Sequence, residues 1–389
     1  MKHQNKIHVY RCLKLLFAVS VTVSFFACRS THPATNPIAA VTASDKVWDA
    51  SNCAAFEKKL ESLRKRRHLP SFSAGIVNEK KLVWKESFGY ADVENKIKPT
   101  ENTVYQLASI TKTFGSIILM QQVEAGKVSL DDPIKKYGID LGARWGSDER
   151  IKIKHLVTHT AQGNSLNIFK PGYSFRYNGD FYDRIKLPIE KTSGKTFGEL
   201  VLANIIQPLG LKNTVPNTGD TVAFALTGYD RVTFEKKIAK PYEWRKGKLH
   251  AVTYRDYFGP AAGLMSSVSD LSFYSIAIDE KKFLSPESWD KVFTPALSEK
   301  GKTFPYGIGW FVRYYDGVKV VWRTGLWDGC SALFVKIPEK DLAFIILANS
   351  PDLSNNSIFH FLNPFSRKLS RNLKASPFGK AFLAKFTEL

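Results

Sequence analysis

Acid and cysteine are the scarce components of this chain. Its 389 residues hold four cysteines, Cys12, Cys28, Cys53 and Cys330, too few and too scattered for a disulfide framework or a CxxC zinc site. Asp and Glu number 36 against 56 Lys and Arg, a formal net charge of +20. An excess of that size ordinarily points to nucleic acid or an anionic membrane surface. There is no internal repeat, and collagen, coiled coil and disulfide miniprotein are excluded. Gly194-Lys195-Thr196 and Gly301-Lys302-Thr303 end like phosphate loops, but neither has a glycine five positions before its own, so no nucleotide site is expected. His155 and His159 have the spacing of a zincin helix, yet Leu156 stands where the general-base Glu belongs. Both histidines therefore read as structural.

What is present is ordinary globular chemistry, 44% hydrophobic and 24% charged, with length for one large domain or two small ones. Residues 1–14 carry Lys2, Lys6, Arg11 and Lys14 and no acid, and Leu13 to Ala27 is apolar apart from Lys14 and small hydroxyl residues. A basic segment followed by a short apolar one predicts a secretory signal over 1–27, too short for a comfortable membrane span. Ala27-Cys28 resembles a bacterial lipoprotein processing site, with Phe25 where Leu is usual, which makes Cys28 the expected lipidation site. The alternative is ordinary cleavage nearby. Residues 28–50, rich in Ser, Thr, Pro, Asn and Ala, read as a flexible tether. Removing 1–27 takes four positive charges from +20 and leaves +16. The expected setting is the cell envelope, with the protein anchored in the membrane by lipid and facing the periplasm or exterior. No nucleic-acid partner is expected of an exported chain without a phosphate-directed motif.

The mature chain reads as one domain over 51–365 followed by a basic amphipathic tail over 366–389. Phe56, Leu60 and Leu63 give Ala54–His68 a helical period. Phe72–Val77 and Leu82–Phe88 are strand-like, and Asn78-Glu79-Lys80 between them suggests a hairpin. Phe114–Glu124 is a strongly apolar helix, the middle alternates helical pieces with loops, and Lys319–Arg323, Cys330–Ile337 and Leu342–Ala348 are closing strands. The pattern predicts an α+β fold, with one antiparallel sheet assembled from both chain ends, flanking helices and a mostly helical subdomain. The tail carries Arg367, Lys368, Arg371, Lys374, Lys380 and Lys385 among Phe365, Leu369, Leu373, Phe378, Phe382 and Phe386. It suits an anionic surface, or equally a helix packed on the domain. Cys53 and Cys330 are either a disulfide or two separate thiols.

Ser109-Ile110-Thr111-Lys112 stands where the apolar helix begins. A Ser and a Lys three apart on a helix share a face, so the amine can reach the hydroxyl. Burial would lower the lysine pKa and leave a neutral amine able to take the serine proton. Ser62–Lys65 and Ser288–Lys291 repeat the spacing in charged surroundings and read as solvated surface.

The context of Ser109 resembles the serine β-lactamase-like hydrolases, a family of class C β-lactamases, DD-carboxypeptidases and related esterases. The resemblance runs from about Phe72 to Ser350. Tyr105–Phe114 resembles the nucleophile motif. Val123–Pro133, Ile151–Thr160, Gln207–Leu211, Ala262–Ser267 and Tyr306–Trp310 follow in family order and spacing. The β-lactamase/transpeptidase-like fold is implied. So are a Ser109 nucleophile, Lys112 and Tyr177 as proton carriers, and a substrate-binding strand through Arg323, Thr324, Gly325 and Leu326. Gly179 departs from the family, which has Asn there, and Asn178 or Asp180 would have to compensate. Arg323 is expected to grip a substrate carboxylate, Gly325 to admit substrate backbone, and the Ser109 and Leu326 N–H groups to form an oxyanion hole. Trp322 and Trp327 either narrow the cleft or join the core.

The expected protein is an exported serine hydrolase that forms an acyl-enzyme with an ester, amide or β-lactam. Its partners would be small molecules or peptides, peptidoglycan fragments among them, and it would need no metal or organic cofactor. Gly179 keeps a second reading open, a catalytically weak penicillin-binding or cell-wall peptide-binding protein.

Overall fold

The computed structural model describes residues 50–141, 149–161, 170–353 and 372–386. The expected signal, Cys28 and most of the tether lie outside the described residues. Six strands form one sheet in the order β2-β1-β10-β9-β8-β7, every neighbouring pair antiparallel. These are β1 (Ser71–Asn78), β2 (Lys81–Gly89), β7 (Phe311–Tyr315), β8 (Val318–Trp327), β9 (Cys330–Ile337) and β10 (Leu342–Ala348). Two short pairs complete the strands: β3 (Tyr105–Gln106) with β6 (Met265–Ser266), and β4 (Tyr242–Arg245) with β5 (Lys248–Ala251). The join between the chain ends is β1 on β10, with Gly75 opposite Ile345.

The period of two along a strand explains why β10 is apolar without interruption. Phe344, Ile346 and Ala348 enter one core cluster while Ala343, Ile345 and Leu347 enter the other. A strand covered on both faces has no solvent side on which to place polar residues. One cover is helix α1 (Ala50–Arg66), which contributes Phe56, Leu60 and Leu63. The other face meets α2 (Thr111–Glu124) and α9 (Val268–Asp279), through residues such as Phe114 and Leu271. Helix α2 is buried nearly all round, so it shows no amphipathic stripe.

The β1–β2 hairpin turns at Glu79 (φ 48°) and Lys80 (φ 60°), the two left-handed residues of a tight type I′ connection. Strand β8 runs further than the sequence pattern predicts, through Thr324, Gly325 and Leu326 to Trp327, and β7 escapes the pattern altogether. Of the two readings of the C-terminal segment, its described part, 372–386, takes the packed one. Helix α11 (Pro377–Phe386) buries Phe378, Phe382, Leu383 and Phe386 in the same cluster as α1 and the sheet. Phe382 stacks on Phe344 of β10, with centroids 4.9 Å apart. Cys330 is a buried thiol that is not joined to Cys53 in a disulfide.

Candidate active site

Ser109 sits in a single 3₁₀ turn, Ala108–Ile110, that runs directly into α2. Ala108 has φ 45°, a left-handed conformation that costs an L-residue energy and persists only where neighbours enforce it. The enforcing bonds are visible. Leu107 N–H donates to the Leu264 carbonyl at 2.8 Å, and the Thr111 hydroxyl donates to the Ala108 carbonyl at 2.7 Å. Leu264 N–H in turn donates to Thr111 Oγ1 at 3.1 Å.

One helical turn on, Lys112 is 1% exposed, and its Nζ donates to Ser109 Oγ at 3.2 Å and to the Ala261 carbonyl at 2.7 Å. Burial lowers the lysine pKa most, Arg323 lowers it further, and Tyr177 and Asp183 oppose. The Tyr177 hydroxyl lies 2.9 Å from Ser109 Oγ. Nucleophile, amine and phenol thus come together from residues 68 apart in sequence.

Arg323 is not placed as a carboxylate receptor. It is 1% exposed. Its Nε donates to the Ser109 carbonyl at 2.8 Å, its Nη1 to the Tyr306 hydroxyl at 2.7 Å, and its Nη2 to the Tyr177 hydroxyl. The guanidinium also lies 4.9 Å from the Tyr177 ring centroid and 5.5 Å from those of Tyr306 and Phe311, within cation–π range. Its fork grips the protein where a substrate was expected. Burial alone would raise the Tyr177 pKa, but the Arg323 and Lys112 cations outweigh it and hold the phenol down to about 8.

The role expected of Gly325 also changes. A Cβ there would fall 2.2 Å from the Leu107 carbonyl oxygen, so the glycine lets β8 approach the nucleophile turn. Thr324 and Leu326 are half-buried. Strand β7 ends opposite Trp322, so within the sheet β8 is paired only to β9 from Arg323 to Trp327. That unpaired edge lies beside Ser109. Trp322 is core, whereas Trp327 is half-buried under the Arg255 guanidinium, 5.4 Å from its ring centroid.

Neither neighbour of Gly179 replaces the family amide. Asn178 Oδ1 accepts from Phe181 N–H at 3.0 Å and caps helix α4 (Gly179–Asp183), while Asp180 is exposed. Among the described residues, a Cβ on Gly179 would have Lys112 Nζ as its one neighbour within 4 Å, at 3.8 Å. The loop carrying the Ala261 carbonyl is fixed instead by Asp183, whose Oδ1 accepts from Ala261 N–H at 3.1 Å and whose Oδ2 accepts from the Tyr257 hydroxyl.

Sequence reasoning passed over Tyr306 and the contacts of His159. The signal for Tyr306 was its place in Tyr306-Gly307-Ile308-Gly309-Trp310. Both histidines accept backbone N–H bonds at Nδ1, His155 from Lys152 at 3.1 Å and His159 from Asn178 at 3.2 Å. Burial holds His155 at about 4 and drives His159 well below the usual histidine range. Among the described residues no group of three or more His, Cys, Asp or Glu side chains is arranged to hold a metal ion.

Residues 56–359 match the profile of the beta-lactamase family. Similar curated proteins include Protein flp of Staphylococcus aureus (strain MW2), 24% identical over 318 residues that cover 72% of this chain and 60% of that one. Penicillin-binding protein 4* of Bacillus subtilis (strain 168) is 22% identical over 303 residues, 70% of this chain and 66% of its own. The match thus spans less than two thirds of the length of these relatives. Among solved structures, the octameric penicillin-binding protein homologue from Pyrococcus abyssi superposes with TM-score 0.67 at 26% identity, covering 77% of this chain and 73% of that one. The penicillin binding protein from Bacillus halodurans has TM-score 0.62 at 21% identity, covering 75% of this chain and 95% of its own, and speaks for the fold alone. A profile that spans most of the described residues, on a sheet joined from both chain ends, makes this chain a member of the beta-lactamase family.

Proposed function

We propose that the protein is a serine hydrolase working through an acyl-enzyme on Ser109. The observation that carries the reading is the placement of Ser109 Oγ within 2.9 Å of the Tyr177 hydroxyl and 3.2 Å of Lys112 Nζ. Tyr177 takes the Ser109 proton as the serine oxygen attacks the substrate carbonyl, and returns it to the leaving group as the tetrahedral intermediate collapses. A water then repeats the sequence and frees the acyl group. The N–H groups of Ser109 and Leu326 stabilise the oxyanion, the latter from the edge of β8 left free by β7. Arg323 acts on Tyr177 and leaves the substrate to other groups.

The sealed Arg323 and the missing amide at Gly179 favour a simple ester or a small amide over a carboxylate-bearing peptide or β-lactam. The N-terminal signal pattern and Cys28 support an exported, lipid-anchored protein at the cell envelope, where peptidoglycan fragments are available as ligands. A second reading, a binder that acylates poorly, draws on Gly179 alone.

The test measures steady turnover of a p-nitrophenyl ester, a β-lactam and a D-Ala-D-Ala peptide, with Ser109→Ala as control. Multiple turnovers abolished by that substitution support the enzyme. A single burst without turnover supports the binder. Failure of a fluorophosphonate to label Ser109 in folded protein removes the hydrolase reading and leaves the binder.

A further inference from the structure

We propose that His159 is a positioning residue for Tyr177, clamping the backbone on both sides of the tyrosine so that the hydroxyl stays between Ser109, Lys112 and Arg323. The inference rests on the hydrolase reading above. Residues 174–178 belong to no helix or strand, so no regular ladder holds Tyr177 in place. His159 supplies the missing bonds. Arg176 N–H donates to the His159 carbonyl at 2.8 Å, and Asn178 N–H donates to His159 Nδ1 at 3.2 Å. Tyr177 lies between these two anchors, and its ring centroid is 4.2 Å from that of His159.

The histidine is itself held firmly. It is 2% exposed and its ring also meets Tyr306 and Tyr182, at 4.7 and 5.6 Å. Its φ of 56° lies in the left-handed region, uncommon for non-glycine residues although histidine adopts it more readily than most, and a backbone held there points to a constraint met by the surroundings. The clamp works only with a neutral ring, because Nδ1 must offer a lone pair to Asn178 N–H. The groups facing it enforce that state. Burial, then Lys112 from α2 and Arg323 from β8, disfavour imidazolium, while Tyr182 of α4 and Tyr306 present hydroxylated rings. His155 is the internal contrast. It makes the same kind of bond, Lys152 N–H to Nδ1 at 3.1 Å, at the N-terminus of its own helix α3 (Ile153–Val157) and has no ring contact with Tyr177.

Two substitutions separate the clamp from general packing. His159→Asn keeps an acceptor near the Nδ1 position and tolerates left-handed backbone, whereas His159→Phe keeps the ring and removes the acceptor. Full-length protein is assayed for p-nitrophenyl acetate turnover and thermal midpoint. The Tyr177 titration is followed by NMR of ¹³Cζ-labelled tyrosine, assigned with Tyr177→Phe. His159→Phe should lose about tenfold or more in kcat with KM changed less than about threefold, the pattern of a group that serves the transition state. Its Tyr177 midpoint should move up from about 8 as the phenol drifts from its cations. His159→Asn should stay within about threefold of the parent in kcat, with the midpoint unmoved. His155→Phe should lower thermal stability without lowering kcat.

The proposal falls if His159→Phe keeps the parental kcat and Tyr177 midpoint, if His159→Asn is as poor as His159→Phe, or if His155→Phe costs as much kcat. Should His159→Phe not fold, His159→Gln, whose acceptor lies further out, takes its place with the same expected losses. If the parent fails to turn over the ester, the hydrolase reading fails. The Tyr177 midpoint needs no turnover and still decides whether His159 positions the phenol.

Discussion

Arg323 Nη2 donates to the hydroxyl of Tyr177 while its guanidinium carbon lies 4.9 Å from the centroid of the same ring. One cation therefore holds the phenol by its oxygen and by its face. The strand expected to present a cation to the substrate turns that cation onto a catalytic candidate, and this changes what the site asks of its substrate.

The Tyr177 phenol is held to about 8 against an ordinary value of 10.0, with burial opposed and outweighed by Arg323 and Lys112. The favoured species is the phenolate, so competence as a base is present above about 8 and lost as pH falls through that value. The associated stability has the same sign: it is complete above the ordinary value and gone below the depressed one. The pH profile of kcat/KM for a p-nitrophenyl ester, corrected for spontaneous hydrolysis, should rise to a plateau with its midpoint near 8. Arg323→Met should move that midpoint upward. A profile unchanged by Arg323→Met contradicts the assignment.

Gly179→Asn should be tolerated. Among the described residues a Cβ at that position has only Lys112 Nζ within 4 Å, at 3.8 Å, and the residue needs no left-handed backbone. Stability should stay within about 0.5 kcal/mol, as for an unstrained substitution outside the core. An amide beside Lys112 adds a hydrogen-bonding group for an amide or lactam, so activity on those relative to esters should rise about tenfold, equivalent to about 1.4 kcal/mol. Competition between a β-lactam and an ester for the purified variant reads the ratio directly.

Gly325→Ala should be costly. The added methyl would sit 2.2 Å from the Leu107 carbonyl and 3.3 Å from Ala332 Cβ, and neither backbone can retreat without moving the turn that carries Ser109. Overpacking of this kind costs about 1–3 kcal/mol, visible as a lower urea midpoint. Fluorophosphonate labelling of Ser109 should fall with it even where the protein remains folded.

Phe382→Ala should destabilise the whole domain. The side chain is fully buried, stacked on Phe344 at 4.9 Å and close to Phe386 at 5.9 Å. Truncating a core phenylalanine costs about 3–5 kcal/mol. A helix that merely rested on the surface would leave the unfolding midpoint unchanged, so equilibrium denaturation separates the two cases.

Much was legible in the residues themselves because it depends on short-range pattern. The Ser109–Lys112 spacing is a property of one helical turn, and the strands around Gly75 and Ile345 announce themselves by apolar runs. The sheet joined from both chain ends followed from order alone. Strand β7 escaped notice because Phe311–Tyr315 has no clean alternation, with Arg313 and Tyr314 exposed beside three buried neighbours. The last helix was ambiguous because an amphipathic stripe with a basic face is the same string whether its apolar side meets lipid or a protein core.

What the sequence by itself determined is the set of chemical parts and their local geometry: a serine one turn from a lysine, a tyrosine two residues before a glycine, an arginine on a strand, a sheet closed by distant segments. What only the tertiary structure decided is which way the charges and glycines face. Arg323 is committed to Tyr177, Tyr306 and the Ser109 carbonyl, Gly325 to the Leu107 carbonyl, and the Lys112 ammonium to Ala261. The physical reason is that a buried cation must find acceptors wherever packing supplies them, and here packing unites residues more than a hundred positions apart.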